Sequence, residues 1–146
     1  HKLIKNKGDI AMSRDYSYEI YSLRQQISTM SSERADILNK ISILKQNKSK
    51  IQSKKSAISE QLSQYDLIKS KATSNFAGNR RDDFNNKIET LKGSISQWLE
   101  NTQNNIDLID QKISTYTAEA SNLAIGMNYA SQSLNTYIYL QSQNED

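Results

Sequence analysis

The sequence predicts an all-α fold, a long antiparallel two-helix coiled-coil hairpin. Three observations carry the prediction. The 146 residues include no proline, so the residue most disruptive to a helix interior is missing. Two apolar heptad runs of nearly equal length fill most of the chain. The polar segment 71–79, which holds Gly78, separates them, and a short connection favours antiparallel neighbours.

The elements follow in order. Residues 1–11 (HKLIKNKGDIA) lack the apolar core of a signal peptide. They read as an appended or disordered start, with Met12 as the native beginning. The first helix is expected over 12–70. Stepping alternately by four and three from Tyr16 gives Ile20, Leu23, Ile27, Met30, Arg34, Ile37 and so on to Tyr65. Twelve of these fifteen positions are apolar or Tyr, the signature of a coiled-coil seam.

The turn is expected over 71–79. Gly78 suits positive φ at a helix stop, and Asn79 suits the N-cap of the next helix. The second helix is expected over 80–142. Phe84, Ile88, Leu91 and Ile95 start its seam, and Ile106 to Tyr137 continue it. Between them Trp98 or Leu99, then Thr102, need one extra four-residue step, a stutter that locally unwinds a supercoil. The lone Trp98 reads as core. Folding about Gly78 is expected to pair positions whose numbers sum to roughly 150, which sets Lys48 near Thr102.

Charge is asymmetric. Residues 1–75 hold 14 Lys or Arg against 7 Asp or Glu, and residues 76–146 hold 5 against 9. Folding the halves together lets one neutralise the other, with Lys40, Lys45, Lys48, Lys50, Lys54 and Lys55 facing Glu100, Asp107 and Asp110. A nucleic-acid binder would keep its basic face unopposed, so no nucleic-acid partner is expected.

The chemistry for catalysis is missing. There is no cysteine, and the single histidine is His1. Most nucleophilic and metal-hydrolytic mechanisms therefore lack parts. No glycine-rich phosphate loop occurs. No enzyme activity, catalytic residue, cofactor or metal is expected. No run of 18 apolar residues exists, and the apolar stripe is a narrow seam, so no stable membrane insertion is expected.

Apolar residues leave the seam at the end of the hairpin opposite the turn. Tyr18 and Tyr21 do so on the first helix, and Ile125, Tyr129, Ile138, Tyr139 and Leu140 on the second. Two helices cannot bury apolar groups on several faces, so these seven residues are the candidate partner-binding set, for another protein or for self-association. The small residues Ala118, Ala120, Ala124, Gly126 and Ala130 would let a third helix approach closely.

The turn carries a family resemblance. Phe76, Gly78, Arg81 and Phe84 stand at the spacing of W-x-G-x-x-A-x-x-F, with Phe for Trp and Arg for Ala. On a heptad hairpin spanning about 12–142, this resembles the YwqH-like family, related to the WXG-type proteins of Gram-positive type VII secretion. The resemblance implies a non-enzymatic partner or targeting chaperone that binds the helical N-terminal domain of an LXG-type toxin. The Y-x-x-x-D/E export signal of such proteins is not matched: Gln143 follows Tyr139 by four residues. The implied place is the cytoplasm, with export only alongside a partner. Two other readings stand beside it: a structural coiled-coil spacer or assembly module with no toxin partner, and a helical subunit of a membrane-active complex.

Overall fold

The computed structural model describes residues 14–75 and 78–145. The expected start at residues 1–11, Met12 and Phe76 of the turn motif lie outside the described residues. The described residues form two helices: α1 is Ser17–Asn75 and α2 is Gly78–Glu145. Both run longer toward the turn than the sequence suggests. Gly78 has φ 64°, a left-handed value that costs glycine no steric strain. It opens α2 rather than closing α1, so Asn79 lies inside the first turn of α2 and does not cap it. At the other end, Asp15 Oδ1 accepts from the Ser17 amide at 2.9 Å and its hydroxyl at 2.6 Å. That satisfies one of the orphan donors of the α1 N-terminus.

The chain forms two compact units. The turn unit comprises residues 42–114, and the terminal unit comprises residues up to 41 together with those from 115. In each unit α1 and α2 pair antiparallel.

In the turn unit, Lys48 Nζ meets Asp110 Oδ1 at 2.6 Å and Lys92 Nζ meets Asp66 Oδ1 at 2.5 Å. Lys69 pairs with Glu89, and Lys55 donates to Gln103. The two numbers in each pair sum to 158. Half of 158 falls beside Gly78, so the chain reverses about that glycine as expected. The expected sum of roughly 150 was too low for that reversal point. Lys48 therefore sits at Asp110 rather than at Thr102. These are half-exposed pairs worth about 0–1 kcal/mol each, and they specify register more than stability.

The α1 seam is as the heptads predict: all fifteen positions from Tyr16 to Tyr65 are buried or half-buried. The α2 seam differs in one stretch. Asn85 takes the seam position expected of Phe84, which lies half-buried beside it. Leu91 is 47 % exposed and Trp98 44 % exposed, while Lys92, Ile95, Leu99 and Thr102 turn inward. Steps of four and three then continue unbroken from Arg81 through Ile106 to Asn144. No stutter is present, and Trp98 is not core. Lys92 can take a seam position because its aliphatic stem lies along apolar surface while its ammonium reaches Asp66.

In the terminal unit, the Tyr16 amide donates to Gln141 Oε1 at 2.8 Å, and the rings of Tyr16 and Tyr137 lie 5.4 Å apart. Ala120 and Ala130 are buried in the seam. Their small size lets α1 come close: Arg34 Nε donates to the Ala120 carbonyl at 3.2 Å. A Cβ on Gly126 would meet Met30 Sδ at 3.0 Å. Ala120, Gly126 and Ala130 thus serve the approach of α1, while Ala118 is exposed.

Gly93 offers a direct test of helix propensity. It lies in mid-α2, and a Cβ there would meet nothing within 4 Å. Gly93→Ala is expected to stabilise the protein by about 0.5–1 kcal/mol, read as a rise in thermal midpoint by circular dichroism. An unchanged or lowered midpoint would show that this stretch needs glycine for another reason.

Acid should weaken the fold through two carboxylates. Hydrogen bonds from the Ser17 hydroxyl and then its amide hold Asp15 below its ordinary 3.8. The hydrogen bond from Lys69, then the charges of Lys69 and Lys92, hold Glu89 below 4.5. Both folded values are depressed, so the stability they contribute is present above 4.5 and is lost as pH falls through the folded values. The thermal midpoint is expected to drop over that range, and Glu89→Gln to flatten part of the drop. An identical acid profile for that variant would exclude Glu89 as a contributor.

Candidate partner-binding surface

The unbroken seam assigns every residue to a face. With seam positions at a and d of each heptad, f lies on the helix back, b and c beside it, and e and g flank the seam. Tyr18 and Tyr21 fall at f and b on the back of α1, 77 % and 63 % exposed. Ile125, Tyr129 and Tyr139 fall at f, c and f on the back of α2, all more than half exposed. Gln132 and Thr136 complete that line at steps of four and three, so it is one continuous stripe. Ile138 and Leu140 fall at e and g, on either flank of the α2 seam. Ile138 is 39 % exposed and Leu140 is half-buried.

Because the two seams face each other, the two backs point in opposite directions. The structure therefore divides the seven candidate residues, all in the terminal unit, into an α1 tyrosine pair and an α2 stripe. The α2 stripe is the larger and more apolar of the two. Between the helices, a hollow of about 280 Å³ opens beside Tyr18, Leu23, Gln26 and Tyr137. It falls short of the ~300–1,000 Å³ usual for small-molecule pockets.

In the turn motif, Phe84 is half-buried and borders a shallow hollow with Arg80, Asp83 and Lys87. Sequence reasoning missed a further set of exposed apolar side chains in the turn unit: Ile43, Leu67, Ile68, Leu91, Trp98 and Leu108. Leu91 and Trp98 were hidden by the stutter reading. Ile43 and Leu108 were visible as off-seam residues to a reading that followed the outward columns as well as the seam.

Among the described residues, no group of three or more His, Asp or Glu stands close enough to hold a metal ion. No described helix is long and apolar enough to cross a membrane. The model of the YwqH-like family matches residues 18–138, most of the described chain. The chain belongs to the YwqH-like family. No curated protein and no solved structure matches it. In this YwqH-like protein the matched span contains Gly78 and Phe84 of the turn, the α1 tyrosine pair, and Ile125, Tyr129 and Ile138. It ends just before Tyr139 and Leu140.

Proposed function

We propose that this YwqH-like protein is a non-enzymatic helical partner that binds the helical N-terminal domain of an LXG-type toxin and presents it for type VII secretion. Family membership supports the class of partner. The observation that carries binding is the stripe of Ile125, Tyr129 and Tyr139, three large side chains exposed along one helix back. A helix that uses its seam internally and still shows such a stripe is suited to take another amphipathic helix, by anchors at i, i+4 and beyond. No bond-breaking chemistry is assigned to it. It acts in the cytoplasm, before or during export of its partner.

The test is co-expression with the helical domain of an LXG toxin encoded beside it, followed by size exclusion. One co-eluting complex of defined stoichiometry is the expected result. A protein that elutes alone against every neighbouring LXG domain would instead be the structural spacer considered above.

A further inference from the structure

In the turn unit the two flanks of the seam differ sharply in chemistry. At about 100° per residue, position e lies beside a, and g beside d. Over residues 42–71 and 79–114, the e and b positions hold six acids (Asp66, Asp82, Glu89, Glu100, Asp107 and Asp110) and one base, Lys45. The c and g positions of the same segments hold six bases and no acid. The same c and g positions hold five of the six large apolar side chains exposed in the turn unit, Ile43, Ile68, Leu91, Trp98 and Leu108, while Leu67 lies at f on the back of α1.

The acidic flank is served from within. Lys48, Lys69 and Lys92 occupy seam position a, lean toward e, and pair with Asp110, Glu89 and Asp66. The basic flank has no carboxylate among its own positions, although Lys71 and Lys112 have contacts of their own and Asp83, at f, borders Arg80 and Lys87. A hollow of about 440 Å³ on α2 is lined by Lys87 and Leu91 of this flank together with Asn86 and Thr90 beyond it. The complement of such a surface is an apolar stripe bordered by carboxylates.

We infer that the c/g flank of the turn unit docks an acidic amphipathic helix of a partner protein. Its apolar stripe lies against Ile68, Leu91 and Trp98, and its carboxylates face Lys54 and Lys87. The groove between two paired helices is the natural seat for a third. A second copy of this chain fits less well. The c and g positions of its terminal unit hold five acids, but only Tyr129 and Leu140 as large apolar groups, so most of the apolar stripe would meet Ser, Thr, Asn and Gly. A nucleic acid would leave the aliphatic side chains facing phosphate and water. The inference uses the other unit and does not rest on the toxin reading.

Trp98 is the only tryptophan, so its emission reports on this flank in the full chain. The probe is a synthetic helix of about three heptads with Leu at a and d and Glu beside them. It is expected to shift Trp98 emission to the blue, while the same peptide with Lys for Glu does not. Lys54→Glu with Lys87→Glu should weaken binding at least ~10-fold, and the milder Lys54→Gln with Lys87→Gln should weaken it less, with far-ultraviolet circular dichroism unchanged in both. Asp107→Asn, on the other flank, should bind as the parent does. No blue shift, or equal binding of both peptides, overturns the inference. So does a shift that follows protein concentration alone, with dimers in sedimentation, which identifies a second copy. Stronger binding to phosphatidylglycerol vesicles or to a single-stranded oligonucleotide than to the Glu peptide overturns it as well.

Discussion

Ile106→Ala is expected to destabilise the protein by about 2–3 kcal/mol, lowering the thermal midpoint by roughly 5–10 °C at this chain length. Ile106 is 2 % exposed, the most enclosed of the buried core side chains. Truncating it removes apolar contact and leaves a cavity that two long helices close only in part. The lower part of the usual range applies, because few neighbours in a helix pair surround any one residue. Leu91→Ala is the matched comparison. If a stutter ran through this stretch, Leu91 would be seam and its loss would cost as much. At 47 % exposed it should cost about 0.5 kcal/mol or less. Equal losses for the two variants would restore the stutter, and an Ile106→Ala protein as stable as the parent would move the core elsewhere. Thermal melts followed by circular dichroism decide between these outcomes.

The second large effect is on binding. Ile125→Glu or Tyr139→Glu is expected to weaken capture of an LXG helical domain by about 2–4 kcal/mol, on the order of 30-fold to 1,000-fold. A charge placed in an apolar contact leaves an unpaired, desolvated carboxylate there. Both residues sit on the helix back, so the free protein should keep its helical signal and its melting midpoint. The α1 back supplies the contrast: Tyr18→Glu and Tyr21→Glu face away from the α2 stripe and are expected to have little effect on the same complex. Size exclusion of the co-expressed pair, with dissociation constants from titration, reads the outcome. Undiminished capture by the Ile125→Glu protein would remove the α2 stripe from the interface. Collapse of the helical signal in that protein would place Ile125 in the internal packing.

The fold was legible because a heptad pattern is both strong and redundant. Losing one apolar position, as at Arg34 or Lys48, does not hide a seam of fifteen. The candidate surface was half legible. Tyr18, Tyr21, Ile125, Tyr129 and Tyr139 stood off the seam in the sequence and are exposed in the structure. That they belong to opposite faces follows only once both helices have a register against each other. Leu91 and Trp98 show the limit most clearly. In one dimension an apolar residue one place away from the alternation looks like the seam with a stutter. In three dimensions Lys92 and Leu99 take the inner positions, and Leu91 and Trp98 turn outward.

The sequence alone determined two long helices with a break near Gly78, which α1 residues face inward, and the absence of cysteine and of any histidine but His1. Each of these depends on local spacing or residue type, which a linear string records in full. The tertiary structure decided the pairing sum of 158 in the turn unit, the unbroken α2 seam, and the contrast between its acidic and basic flanks. Those depend on how one helix slides along the other. Every heptad offers a nearly equivalent seam, and the choice among such registers is made by contacts between residues far apart in the chain: Lys48 with Asp110, and Asp66 with Lys92.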